Sequence, residues 1–160
     1  MAKFTLSVLV ENKFGVLARV AGLFSARGFN IDSLAVAETE DPAMSRITMV
    51  VDANERILEQ IKKQLNKLID IVKVVDLTER DYIDRELVLI RVKMDKVARD
   101  KVIQTVDSLD AKVIDIGKDS LTVEEVGDEK KINATLELLR PFGIVEIVRT
   151  GKIAIQASEK

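Results

Sequence analysis

The chain of 160 residues contains no cysteine, no histidine and no tryptophan. Those absences remove disulfides, thiolate nucleophiles, imidazole bases and the usual transition-metal ligands together. Only oxygen-ligated Mg²⁺ or Ca²⁺ sites are left open by them. Charge of one sign is also lacking. Lys and Arg number 25 against 27 Asp and Glu, for a net charge of -2. A mildly acidic chain is a poor binder of phosphate backbones. No apolar run approaches the ~18–20 residues of a membrane span. Met1 to Val10 lacks the charged, long apolar and small-residue regions of a signal peptide. These features lead us to expect a soluble cytoplasmic protein, with no nucleic acid and no membrane among its partners.

What remains is 47% hydrophobic and 32% charged. That is enough apolar material for a packed core. The length suits one medium domain or two small ones of roughly 75–80 residues.

Periodicity organises the chain. Phe4, Leu6, Val8 and Val10 alternate as a strand. A turn at Glu11–Gly15 leads to helical spacing from Val16 to Arg27, with Leu17, Val20, Ala21 and Phe24 on one stripe. Gly28 is placed to stop that helix. Strands are expected at 31–37, 44–51 and 69–77. A helix capped by Asn54 is expected to run to about Leu68. The order is β-α-β-β-α-β, the ferredoxin-like arrangement. It then repeats: strand 86–94, helix 96–109, strands 112–116 and 121–126, an Asp128-capped helix 129–139 and strand 144–149. A short addition follows at 152–156. The charged run 78–85 reads as a linker. The fold class is therefore α+β, with two ferredoxin-like domains bounded at 1–78 and 79–160.

The turn between the first strand and helix is where chemistry is most legible. Gly15 stands where the helix begins, and the first N–H groups of a helix have no partners within it. They suit an anion such as a carboxylate, and glycine admits close approach. The carbonyl of Asn12 is suited to an α-amino group. On spacing alone the same residues read more simply as a turn asparagine and a loop glycine, since an Asn followed three residues later by Gly is a weak signal. Asn30 opens the second strand and is expected near the first loop, or to face that loop from a second copy. Glu38, Glu40 and Asp41 form an acidic turn, read as solvated in preference to metal-binding.

Segment 6–20, Leu6-Ser-Val-Leu-Val-Glu-Asn12-Lys-Phe-Gly15-Val-Leu-Ala-Arg-Val20, resembles the opening of the acetolactate synthase small regulatory subunits. So do segment 22–34 and segment 41–48, the latter reading Asp-Pro-Ala-Met-Ser-Arg-Ile-Thr. Residues 85–92 and 143–151 are similar to the family's second domain. The resemblance implies an ACT domain over 1–78 that pairs with a second copy. Valine would then bind between copies, held by Asn12, Gly15, Val16 and Leu17 of one and by Asn30 and Ile31 of the other. It implies a non-catalytic chain without a cofactor of its own. Thiamine diphosphate, Mg²⁺ and FAD are expected on a large catalytic subunit, which this chain would activate and place under feedback inhibition.

Other families share the βαββαβ order. RNA-recognition modules need aromatic residues on their third and first strands; residues 44–51 have none and 3–10 only Phe4. Acylphosphatase-type enzymes want an arginine in the first loop, where only Lys13 stands. An ACT amino-acid sensor serving another enzyme is the remaining alternative.

Overall fold

The alternating start of the chain forms strand β1 (Ala2–Glu11) in the computed structural model, which describes residues 2–160. Helix α1 (Val16–Ala26) follows, then β2 (Ile31–Glu38), β3 (Met44–Ala53), α2 (Glu55–Asn66) and β4 (Ile71–Asp76). The sheet order is β2-β3-β1-β4, with each neighbouring pair antiparallel. Leu6 stands opposite Met49 and Val8 opposite Ile47, so these four share a face. Val16, Val20 and Phe24 of α1 and Leu58, Ile61 and Leu65 of α2 join them in one core. Both helices therefore cover the same side of the sheet.

The second half repeats the plan. It contains β5 (Tyr82–Lys93), α3 (Arg99–Ser108), β6 (Lys112–Ile116), β7 (Ser120–Gly127), α4 (Glu129–Leu139) and β8 (Ile144–Arg149). The sheet order is β6-β7-β5-β8, the same permutation as in the first half. Its core gathers Val88, Ile90, Val92, Val102, Val106, Leu121, Val123, Ile132 and Leu139. The α+β class with two βαββαβ domains is what the periodicity implies.

Local signals at the helix ends act as expected. Asn54 accepts a hydrogen bond from Ile57 N at 2.9 Å. Asp128 accepts from Lys131 N at 2.8 Å. Each satisfies a donor that the helix itself leaves orphaned. Gly28, with φ 69°, supplies the left-handed residue after α1.

One connection differs from the periodic reading. The first unit runs to Ile83 and also includes Lys152–Lys160, while the second is Asp84–Gly151. The 78–85 run is thus not wholly a linker, because β5 begins at Tyr82. The reason is long-range. The last strand, β9 (Ile153–Gln156), pairs with β5. Beyond it, Ala157 N donates to Asp81 O at 2.8 Å, and Arg80 Nη1 donates to Gln156 Oε1 at 2.8 Å. Lys152 N donates to Ser33 Oγ at 3.0 Å. The carboxy-terminal segment Lys152–Lys160 groups with the first compact unit. No helix among the described residues is long and apolar enough to cross a membrane.

Candidate functional site

The β1–α1 turn is held open at the helix end. Gly15 is the residue before α1, with φ 81° and ψ -3°. A side chain there would be strained, and a Cβ would lie 3.1 Å from Arg19 Nη1. No side chain caps α1, unlike α2 and α4. Arg19 N returns to Gly15 O at 3.0 Å. The N–H groups of the first turn, at Leu17 and Ala18, precede the helical ladder and point outward from its end. They carry the partial positive charge that favours a carboxylate.

Asn12 fixes the turn from the other side. Its Nδ2 donates to Pro42 O at 2.9 Å and to Glu38 Oε1 at 3.2 Å. Its backbone N donates to Ala43 O at 2.8 Å. The amide nitrogen is thus spent on the β2–β3 turn, and the carbonyl oxygen is the atom available to a ligand's ammonium group. Glu38, read from the sequence as part of a solvated acidic turn, is the anchor of Asn12. Asp41 closes the same turn by accepting from Ala43 N at 3.0 Å. No group of three or more Asp or Glu among the described residues is arranged to hold a metal ion.

Charged neighbours surround the turn. Lys13 Nζ pairs with Glu11 at 2.7 Å, and this hydrogen bond is the main reason its pKa is raised. Arg19 is gripped by Asp70. Neither Arg19 nor Asp70 stood out in the sequence, because the pair joins residues 51 positions apart. Phe14 carries no periodic signal in the sequence either. Its ring is fully exposed beside the open helix end, where a monomer gains nothing from it.

The two halves of the expected site lie apart within one chain. The register pairs Ile31 with Val51, and Val51 with Phe4, near one end of the sheet. Glu11 pairs with Met44 at the other end, and Asn12 follows it. Asn30 therefore does not neighbour the first loop of its own chain, which corrects the single-chain form of that expectation. Antiparallel pairing explains the separation: β2 runs opposite to β3, so its start lies far from the end of β1. Asn30 itself donates from Nδ2 to Asp32 Oδ1 at 2.6 Å.

The surface between these ends is apolar. β2 is an edge strand. Leu34 and Val36 stand opposite Met49 and Ile47, hence on the helix-bearing side. They nonetheless remain 37% and 42% exposed. On α1, Leu17 is 43% exposed, and a Cβ on Gly22 would meet nothing within 4 Å.

Residues 6–73 match the family model described as an AHAS small subunit-like ACT domain, and residues 85–158 match the small subunit of acetolactate synthase. The chain belongs to the acetolactate synthase small-subunit family. It is 48% identical over 158 residues to the probable acetolactate synthase small subunit of Archaeoglobus fulgidus, covering 99% of each. It is 53% identical over 151 residues to the acetolactate synthase small subunit of Mycobacterium bovis, covering 94% of this chain and 90% of that one. The crystal structure of the acetolactate synthase small subunit from Thermotoga maritima superposes with a TM-score of 0.89 at 36% identity, with both chains fully covered.

Proposed function

We propose that this acetolactate synthase small subunit is a cytoplasmic regulator that binds valine between two paired ACT domains and controls a large catalytic subunit. The observation that carries the reading is the placement of the two half-sites. Asn30 and Ile31 begin the edge strand β2, and Glu38, which holds Asn12, ends it. Pairing two β2 edges antiparallel about a two-fold axis sets the start of one strand beside the end of the other. Each Asn30 would then face the Asn12–Leu17 turn of the other copy, giving two equivalent sites. Leu34, Val36 and the outer side of α1 would be covered in the same step, which accounts for their exposure in the single chain.

In this site the open end of α1 receives the carboxylate of the amino acid, and Asn12 Oδ1 receives its ammonium. The side chain meets apolar surface from Ile31 and Val16. One methylene is worth only ~1–3 kcal/mol in such a pocket, so leucine and isoleucine would be weaker ligands of the same site.

The chemistry is assigned to the large subunit, together with its thiamine diphosphate, Mg²⁺ and FAD. The small subunit acts by linkage: valine must bind one state of the complex better than the other. A preference of ~1–3 kcal/mol shifts the balance between the two states about 5–150-fold.

Calorimetric titration of the full chain with L-valine tests the site, alongside the Asn12→Ala variant and sedimentation of both. Saturable binding by a dimer, lost in the variant, supports it. A folded dimer that binds no valine, alone or with the large subunit, overturns it.

A further inference from the structure

The sheet of the first unit ends in β2 on one side and β4 on the other. Pairing of two copies through β2 leaves the β4 edge free. The entry to β4 carries apolar side chains into solvent. Ile69, just before the strand, is 93% exposed, and Val72, within it, is 55% exposed. Leu68, Ile71 and Val74 of the same segment pack on the core, so Ile69 and Val72 are not needed there. The register steps from Lys73 to Ile71 between Leu9 and Val10. Val72 is thus the extra residue of a bulge, a device that re-aims a side chain. The turn after β1 adds Phe14, which is fully exposed. Glu11 N donates to Asp70 O at 2.9 Å, which brings that turn and the Ile69–Val72 segment to one end of the unit. Scattered exposed apolar residues are ordinary, but a group of them at one place marks an interaction surface.

Charge selects what covers it. The acids at this end are already answered, Glu11 by Lys13 and Asp70 by Arg19. Lys67 and Lys73 bracket the segment and are both exposed, which leaves the rim positive. A second copy is a poor occupant. A two-fold contact sets a patch against itself, and the lysines of each copy would then meet their own kind. A different protein, with an apolar centre edged by carboxylates, fits on both counts.

We propose that the surface formed by Phe14, Ile69 and Val72, rimmed by Lys67 and Lys73, is where the large catalytic subunit docks. This rests on the reading that the chain serves such a subunit, and adds the surface it uses. The place suits a regulator. A Cβ on Gly15 would lie 3.1 Å from Arg19 Nη1, and Arg19 holds Asp70, which stands between Ile69 and Val72. A ligand at the open end of α1 and a partner on this surface therefore bear on the same ion pair.

The test is interferometry of the immobilised full chain against the purified large catalytic subunit of the same source, without valine and at two ionic strengths. The parent chain should bind saturably. Ile69→Asp should weaken binding ~10-fold or more, because it places an unpaired charge in an apolar contact. Phe14→Ala should weaken it ~5-fold or more. Lys67→Glu combined with Lys73→Glu should weaken it most at low salt, since rim charges are screened. All four positions are exposed, so melting and sedimentation of each variant should match the parent chain. Should Ile69→Asp fail to fold, the lysine variant decides alone. The proposal is overturned if the folded variants bind the large subunit as tightly as the parent chain does. A parent chain that binds no large subunit sinks instead the functional reading beneath it.

Discussion

Arg19 on α1 donates from Nε at 3.0 Å and from Nη2 at 2.5 Å to a single oxygen of Asp70, Oδ2. Asp70 is buried, and its backbone carbonyl accepts from Glu11 N at 2.9 Å. One acidic residue therefore ties the first helix to the end of β1 and the approach to β4. Arg19→Leu would leave a buried carboxylate without its cation. Breaking a buried pair is expensive, but the Arg19 side chain is half exposed and water replaces part of the loss. We expect a destabilisation of about 1–2 kcal/mol, read by urea unfolding. A change below about 0.5 kcal/mol would mean that solvent compensates Asp70 fully.

Gly15 sits against the same arginine. A methyl group there must adopt a positive φ and lie 3.1 Å from Arg19 Nη1. The left-handed conformation alone costs about 1–2 kcal/mol for a residue with a Cβ. Gly15→Ala should lower stability by that order and weaken valine binding more than it weakens folding, because the methyl stands at the open helix end. Melting curves and valine calorimetry on one preparation separate the two effects. Unchanged valine affinity would argue against a ligand at this helix end.

The elements most readily read from the sequence are those decided by local pattern. Alternation at Phe4–Val10 and the stripe at Ile57, Leu58, Ile61 and Leu65 each point to one period. Asn54, Asp128 and Gly28 act within three or four residues of themselves. What local pattern does not carry is partner choice between distant segments. β5 begins at Tyr82 because β9 returns to it, and nothing near Tyr82 announces that. Helix α3 begins at Arg99, three residues later than its spacing implies, because Asp95 Oδ1 accepts from Ala98 N at 2.6 Å and holds a turn. Asn12 and Gly15 were legible as a turn with an open helix end. That Asn30 lies at the far end of the sheet follows only from the register.

The returning segment offers a direct test of its part in the first unit. Thr48 and Val50 stand on the side of β3 away from the helices, yet both are buried. Removing residues 153–160 deletes β9, the Arg80–Gln156 bond and the Ala157–Asp81 bond. Loss of two or three net hydrogen bonds at about 0.5–1.5 kcal/mol each gives an expected destabilisation of about 1–4.5 kcal/mol. Amide exchange should accelerate in β1 and β3. Exchange that is unchanged in those strands would show that β9 covers nothing essential.

Asp32 links stability to acid. Its pKa is held below the ordinary 3.8, chiefly by the hydrogen bond from Lys3, with Asn30 adding to it and partial burial opposing. Lowering in the folded state means the contribution is present above about pH 3.8 and is lost as pH falls through the folded-state pKa. The pair is solvent-accessible, so its worth is a few tenths of a kcal/mol. The stability difference between the parent chain and Asp32→Asn should stay level from about pH 7 to about pH 5 and close below about pH 3.8. Unfolding at several pH values measures it, and a difference that widens in acid would refute the assignment.

Glu125 is the residue of the second unit whose replacement should help. It stands opposite Val88 in the register, on the face that carries the core. Its side chain is 1% exposed, and neither carboxylate oxygen has a hydrogen-bond partner. Lys131 Nζ approaches only to 3.9 Å, too far for a hydrogen bond. Desolvation of the carboxylate therefore exceeds what the loose ion pair returns. Glu86, on the same strand face, shows the contrast: Arg149 donates to both its oxygens, at 2.6 and 2.8 Å. Glu125→Met keeps the length of the side chain and removes the charge. We expect it to raise stability by about 1–3 kcal/mol, while Glu86→Met should lower it, because Arg149 would lose its bidentate partner. Calorimetric melting of both variants decides the matter. If Glu125→Met melts below the parent chain, then the Lys131 contact carries more than its geometry indicates, and the buried carboxylate is a net support of the fold.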